Sequence, residues 1–442
     1  MAISKKPYKG TRDFFPQEKR IQDFIFKNMT LTAESFGYEH YDGPLLEEVE
    51  LYKAKSGEEL INDQIYSFED RGGRFVAIRP EMTPTLARMV AQIHKEYPKP
   101  IRWFSIPNLM RYERPQKGRL REHWQFNCDI FGAPGRLGEL EILLVVKELL
   151  ENYGANSEHF EILLNDRSIV DGIFGKVSED KDIQYRLYKI VDKSKKVSKE
   201  VLSKEVSELG ISQDAQDLFF SYLEATQFED LISILEAQKL TEISEQFRDF
   251  INLSQASGLD QYIKFDPAIV RGLDYYTGIV FEVFDKHPDN RRAICGGGAY
   301  AGLLQIFNEQ PLAGVGFGLG DVTLKDFLIT HNLMPDLSKP DNDIMISFQN
   351  ESGFLDLAPL ASQLRKAGIK VFMGLEIIKF KKVFKEAEKR GSQFVLLFGE
   401  TEKEAGKVLL KNLETKEQVE FDLNDSKAIA THIQSAKKEK GE

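Results

Sequence analysis

The chain has 442 residues, 42% of them hydrophobic and 11% aromatic, which is enough apolar side chain for packed cores and excludes a disordered or fibrous protein. Its 59 lysines and arginines are outnumbered by 70 acids, for a net charge of −11, so any contact with nucleic acid must use a local basic patch. Two cysteines, Cys128 and Cys295, exclude a disulfide framework and a cysteine-rich metal site. Neither an apolar signal core nor a run of about 20 apolar residues occurs, so a soluble cytoplasmic protein that does not enter the membrane is expected.

The length suggests two or three domains. Apolar residues at helical spacing (Ile21, Phe24, Ile25, Leu31 and Phe36) predict a long helix over 16–36, with Pro16 near its start. A strand pair over 66–78 turns at Arg71-Gly72-Gly73-Arg74. A helix over 84–94, strands over 103–112 and 124–131, and a helix over 138–153 follow. From Phe174 to about Leu253 the sequence is charged, helical and poor in glycine, and reads as a separate insertion. Strand-like sequence returns over 263–284, then Gly296-Gly297-Gly298 and the alternating glycines from Gly314 to Gly320. A linker over 331–340 precedes alternating strands (344–348, 369–372, 394–398) and helices (355–367, 377–390), a hairpin over 407–423 and a last helix. That alternation is the pattern of a compact α/β domain.

No HExxH occurs and the seven histidines are scattered, so no zinc site is expected, and GxSxG is absent; with no phosphate-binding glycine loop either, side chains must do most of the phosphate work if a nucleotide is bound. Between Lys99 and Arg121 there are seven cations (Lys99, Arg102, Arg111, Arg114, Lys117, Arg119, Arg121) against one acid, Glu113. Such a patch in an acidic chain suggests phosphate, either a nucleotide or a nucleic-acid backbone; a solvated hairpin rim is the alternative. Arg111 lies in apolar sequence, where an arginine must be paired or face a polar cleft. A second cluster, Val270 to Glu282, sets Arg271 and Asp274 beside Tyr275 and Tyr276. Alone it is read more simply as a hairpin with a surface ion pair. In a third, Ile78 to Pro84, Glu81 and Thr83 stand where a strand hands over to a helix, and Thr83 also suits a helix cap.

Together these segments resemble the class II histidyl-tRNA synthetases over nearly the whole chain. Lys9-Gly10-Thr11-Arg12-Asp13-Phe14-Phe15-Pro16 is similar to the family's N-terminal turn, and Phe36-Gly37-Tyr38 with Gly43-Pro44 to motif 1, whose helix and strand form a dimer interface. Arg111 to Arg119, running on to Gln125 and Asp129, resembles motif 2, and Arg271 to Gly278 resembles the family's histidine-specific peptide. Asp192-Lys193 to Ile211 resembles its helical insertion, and Gly399-Glu400 with Lys411 to Gln418 its anticodon-binding domain. The resemblance implies an α+β fold: an antiparallel-sheet catalytic core over 1–172 and 259–330, a helical insertion over 173–258, and an α/β anticodon-binding domain over 341–442. It implies a homodimer using ATP, Mg²⁺, L-histidine and tRNA(His).

Carried over by position, Arg271 and Arg111 are the catalytic residues at the α-phosphate. Arg111, Glu113, Arg119, Arg121 and His123 bind ATP, with His123 in the place of an aromatic that stacks on adenine. Glu81, Thr83 and Gln125 hold the α-amino group of histidine, and Asp129, Tyr275, Tyr276 and Arg271 complete its site. Arg114, Gln116 and Lys117 contact tRNA, the first two resembling residues that read the extra 5′ guanosine of the histidine tRNA. No metal site is implied by protein side chains alone. Two segments depart from the family. Ala299 and Ala301 replace an arginine and an aspartate, and Val322-Thr323 replaces the Glu-Arg of motif 3, whose arginine contacts the γ-phosphate. Threonine is no substitute for a bidentate cation. Either another cation or Mg²⁺ covers that phosphate, or the chain is a weakened paralogue: a histidine or tRNA sensor, or the regulatory subunit of ATP phosphoribosyltransferase. The intact motif 2 and histidine peptides and the C-terminal domain favour the synthetase.

Overall fold

The structure, a computed structural model, describes residues 3–54, 60–270, 276–349 and 351–438. The chain divides into two compact units, residues 1–13 with 22–334, and residues 14–21 with 335–442.

The first unit is built on a nine-stranded sheet. Its order is Glu39–His40, Ile101–Ser105, Glu122–Phe131, Gly314–Gly320, Ala293–Tyr300, Ile279–Asp285, Phe160–Asp166, Ile263–Phe265, with Asn108–Met110 also pairing on Glu122–Phe131. The pairs are antiparallel except at the two edges, where Glu39–His40 and Ile263–Phe265 run parallel to their neighbours. Side chains alternate between the faces of a strand, so parity decides what each residue meets. Even positions of Glu122–Phe131 and odd positions of Gly314–Gly320 turn toward the helix Leu137–Asn152: a Cβ on its Gly138 would lie 3.2 Å from Val315 and 3.8 Å from Ile130. That helix buries Leu143, Val146, Leu149 and Leu150 and closes this face. The opposite parity faces the site described below.

The strand expected over 103–112 is two strands. Ser105 pairs with Asn127 and Asn108 with Trp124, so the register is unbroken, but Pro107 between them has no N–H to give. Its carbonyl still accepts from the Gln125 N–H at 3.1 Å. The expected pair over 66–78 forms and gains a third strand, Leu46–Glu48, on Phe75–Ile78. The sequence over 263–284 yields Ile263–Phe265 and Ile279–Asp285, with 271–275 between them outside the described residues. The helix expected from Pro84 is Thr83–Ile93, so Thr83 is its first residue rather than its cap, and Met82 takes the cap position without a side-chain bond.

Six helices run between Arg167 and Ser254, several started by short acceptors: Asp166 accepts from Ser168 N–H, Asp180 from Asp182 N–H, and Ser212 from Ala215 N–H. Phe174, Leu187, Phe219, Tyr222 and Phe247 are buried among them.

The second unit holds a five-stranded sheet in the order Val371–Met373, Asn342–Phe348, Ser392–Phe398, Lys407–Asn412, Gln418–Asp422. The first three strands are parallel and the last two antiparallel to their neighbours. Parity again sorts the core: Ile344, Ile346, Phe394 and Leu396 pack with Leu357, Leu364, Ile429 and Ile433, while Met345, Val395 and Leu397 pack with Val383 and Ala387. The helix expected from Ile377 begins at Phe380.

Candidate active site

On the open face of the large sheet a cavity of about 170 Å³ is lined by Glu81, Thr83, Arg111, Gln125, Asp129 and Tyr276, together with Asn127 and Tyr300. It exists because the facing strands carry glycine at the site parity. A Cβ on Gly316 would meet the Asp129 carboxylate, at 2.7 Å from Cγ, and one on Gly318 would lie 2.6 Å from Gln125 Nε2. Tyr276 rests against Gly298, where an added Cβ would be 2.8 Å from its ring.

Asp129 is buried and accepts a hydrogen bond from the Tyr300 hydroxyl. Burial, partly opposed by that bond, pushes its carboxyl up to about 7. Asn127 donates to the Gln125 carbonyl at 3.0 Å, fixing the strand between the two polar side chains.

A second cavity of about 110 Å³ shares Arg111 and is lined by Glu113, Arg119, His123, Val322 and Thr323. Arg111 lies just past the strand Asn108–Met110; its backbone N–H donates to Arg121 O at 2.8 Å, and its Nε donates to Pro80 O at 2.8 Å. That second bond fixes the guanidinium between the two cavities. Glu113 is buried, pairs through one oxygen with Arg119, and its other oxygen has no hydrogen-bond partner among the described residues. His123 is driven down to about 3, first by burial and then by Arg111, Arg12 and Arg119, so its imidazole is neutral at working pH.

The loop between these residues turns at Gly118, φ +71°, where Gln116 and Arg119 exchange backbone hydrogen bonds of 3.0 and 2.9 Å. Arg114, Gln116 and Lys117 are exposed on it, and Lys117 Nζ donates to Asp289 O at 3.3 Å. Arg121 lines neither cavity. Its guanidinium lies 4.1 Å from the Tyr112 ring centroid and 5.4 Å from that of Tyr8, and it donates to the Tyr8 hydroxyl at 2.7 Å. Arg271 and Tyr275 lie outside the described residues.

Three features escaped the sequence reading. Tyr300 and Asn127 line the first cavity, and the signal for Tyr300 was its parity with Gly296 and Gly298. Asp321 accepts from Arg12 at 2.8 Å and from the Trp124 N–H at 3.0 Å, tying the N-terminal segment to the strand that carries His123. No regular spacing marks that last contact.

A family model described as histidyl-tRNA synthetase matches residues 10–322. The chain belongs to the histidyl-tRNA synthetase family. A further model, of an anticodon-binding domain, matches residues 346–431. A histidine–tRNA ligase of Leptospira biflexa is 41% identical over 432 residues, 96% of this chain and 97% of that protein. The chloroplastic/mitochondrial histidine–tRNA ligase of Arabidopsis thaliana is 36% identical over 423 residues, 96% of this chain and 86% of that protein. Among solved structures, the histidyl-tRNA synthetase from Nostoc sp. PCC 7120 aligns with a TM-score of 0.82 at 24% identity, covering 98% of this chain and 100% of that one. An ATP phosphoribosyltransferase regulatory subunit/histidyl-tRNA synthetase from Bacillus halodurans aligns with a TM-score of 0.75 at 21% identity, over 90% and 99%. At those identities the two structures speak for the fold alone. The expected α+β architecture, a largely antiparallel sheet followed by a C-terminal unit with its own sheet, is the one observed.

Proposed function

We propose that this protein is a histidine–tRNA ligase: it joins L-histidine to ATP to form histidyl-adenylate and pyrophosphate, then transfers histidine to the 3′ end of tRNA(His). The observation that carries this reading beyond family membership is the shared Arg111. A polar cavity containing Asp129 opens beside an arginine-lined cavity, and one guanidinium reaches both.

The first step needs two anions to meet. A histidine carboxylate oxygen bonds to the α-phosphorus of ATP, the bond from that phosphorus to the bridging oxygen breaks, and the electron pair leaves on pyrophosphate. The carboxylate is already ionised, so no general base is required. Positioning and charge neutralisation carry the step. In this reading Arg111, with Arg271, neutralises the α-phosphate, while Arg119 and Glu113 border the rest of the nucleotide. His123, held neutral, offers adenine an uncharged ring. Glu81, Thr83 and Gln125 hold the α-amino group, and Asp129 with Tyr276 and Tyr275 receives the imidazole. A hydrogen-bonding site of this kind rejects apolar analogues by about 10⁴-fold or more. Arg114, Gln116 and Lys117 present cations and donors to tRNA.

The unpartnered buried oxygen of Glu113 suits an Mg²⁺ carried in by the ATP phosphates, whose charge the ion would offset. We assign the core to 1–172 and 259–330, the helical insertion to 173–258 and the anticodon-binding domain to 341–442. A homodimer in the cytoplasm completes the reading; among the described residues no helix is long and apolar enough to cross a membrane, and sedimentation would test the dimer. The regulatory-subunit and sensor alternatives are not favoured, since full-length relatives named histidine–tRNA ligase match through the C-terminal unit.

The test is histidine-dependent ATP–pyrophosphate exchange, followed by charging of tRNA(His). Robust exchange is expected. Histidine binding without exchange would overturn the reading in favour of a sensor or regulator.

A further inference from the structure

We infer that Arg292 supplies the cation that Thr323 lacks and binds the terminal phosphates of ATP; this rests on the adenylation reading above. Thr323 stands where the family carries its motif 3 arginine, and its hydroxyl is already engaged with Gly320 O and Ile294 O, each at 3.1 Å. It has no proton left for a phosphate.

Arg292 ends the segment leading into the strand Ala293–Tyr300 and comes directly alongside. A Cβ built on Gly118 would lie 3.0 Å from Arg292 Cδ and 3.6 Å from Thr323 Cγ2. The arginine stem therefore crosses the one position of the Gln116–Arg119 turn that has no side chain. Gly118 and Thr323 border the cavity of Arg111, Arg119 and His123, and they also border two further cavities of about 190 and 470 Å³, both lined by Arg292. Arg292 thus stands beside Thr323 and Gly118, in cavities that adjoin the one lined by Arg111. Gly118 and Thr323 form a wall of the cavity of Arg111, so terminal phosphates bound along that wall would meet the neighbouring Arg292.

The charge balance agrees. Arg292 is half-buried, yet makes no ion pair or hydrogen bond among the described residues. The nearby carboxylates do not neutralise it. Asp285 is taken by His331 at 2.7 Å and Asn290 at 2.6 Å, Asp289 lies 3.9 Å from His287 and Asp192 3.8 Å from Lys196, and among the described residues none of these, nor Asp326 or Glu282, pairs with Arg292. A guanidinium partly withdrawn from water calls for an anion with two oxygens, and a phosphate provides that geometry. The loop carrying it is also held to the motif 2 loop through Lys117 and Asp289 O. In the reaction, the electron pair released on breaking the bond to the α-phosphorus goes to the β-phosphate oxygen, and Arg292 offsets that charge on the departing pyrophosphate.

The test is pyrophosphate exchange without tRNA on the wild type, Arg292→Ala, Arg292→Lys, and Arg292→Ala combined with Thr323→Arg. Arg292→Ala should raise the KM for ATP and for pyrophosphate by about ten- to a hundred-fold. The KM for histidine and inhibition by AMP, which lacks the terminal phosphates, should stay within about two-fold. Arg292→Lys, which keeps most of the stem, should fall between, and Thr323→Arg should recover part of the loss by restoring a cation on the neighbouring position. A folded Arg292→Ala variant with unchanged ATP and pyrophosphate KM would overturn the inference and leave adenylation standing. If the wild type exchanges nothing, the adenylation reading itself falls.

Discussion

Tyr300 and Asp129 hydrogen-bond across a strand that lies between their own. Asp129 belongs to Glu122–Phe131 and Tyr300 to Ala293–Tyr300, and Gly314–Gly320 separates them in the sheet. The residues opposite them on that strand are Gly316 and Gly314, so no side chain intervenes. Two polar groups on non-neighbouring strands can then share a floor, and the space above them is the cavity assigned to histidine.

That arrangement makes Gly316 a sharp test. A methyl there would lie 2.7 Å from both Asp129 Cγ and the Cys128 carbonyl, and the carbonyl is backbone that has little room to give. Asp129 must move. Gly316→Ala should raise the KM for histidine by about ten-fold or more, since a displaced hydrogen-bonding group of this kind costs a few kcal/mol at most, while the KM for ATP changes little. An unchanged histidine KM in a folded variant would remove Asp129 from the binding site.

The titration of Asp129 gives a pH signature. Its carboxyl is raised to about 7 by burial, so it is charged above that pH and takes a proton below it. Only the charged form has both oxygens free to accept, one from the Tyr300 hydroxyl and one from an imidazole N–H. The kcat/KM for histidine should therefore fall as pH drops through about 7 more steeply than in Asp129→Asn, which keeps only the titration of free histidine near ~6.5. For stability the sign is opposite. A carboxyl raised on folding favours the folded state most below its unfolded value, and that contribution is lost as pH rises through about 7. Asp129→Asn should thus melt at an equal or higher temperature than wild type at pH 8, while binding histidine poorly. A lower melting temperature at that pH would mean the charge is compensated.

His123 should act as a ring and not as a charge. Its imidazole is held down to about 3 by burial and three arginines, so it stays neutral across the assay range. His123→Phe should keep the KM for ATP within a few-fold, and His123→Ala should raise it about ten-fold, in keeping with the ~1–3 kcal/mol worth of a base on an aromatic. Because this group favours the neutral form on folding, its stabilisation is complete above ~6.5 and is lost as pH falls toward 3. A His123→Phe variant should accordingly lose less melting temperature than wild type between pH 7 and 5.

Much of this architecture was legible in the residues, and the remainder has definite physical reasons. The apolar setting of Arg111 requires a partner or a polar cleft, because burial alone demands one, whereas the alternating glycines from Gly314 to Gly320 become a strand with one bare face only once their register is known. The Asp129–Tyr300 contact was hidden, since it depends on the register of three strands far apart in sequence. Arg121 shows the converse. It belongs to the same basic run as Arg119, but the turn at Gly118 and the backbone bond from Arg121 N to Gly10 O swing its side chain to Tyr8 and Tyr112. Charge counting sees seven cations in that run and has no means of telling which ones aromatic rings have engaged.

The exposed tip of the same loop gives a test that separates the two proposed reaction steps. Gln116 is exposed and offers its side chain to solvent, while its backbone holds the turn with Arg119. Gln116→Ala removes the side-chain amide and leaves that backbone pair, and with it the place of Arg119 against Glu113. Pyrophosphate exchange should therefore remain within about two-fold of wild type, whereas charging of tRNA(His) should fall by about ten-fold, the worth of one lost specific hydrogen-bonding contact. The loss should shrink on a tRNA lacking the extra 5′ guanosine, because that nucleotide is the proposed partner of the amide. Equal losses in exchange and charging would place Gln116 in support of the nucleotide cavity and take tRNA reading away from the loop.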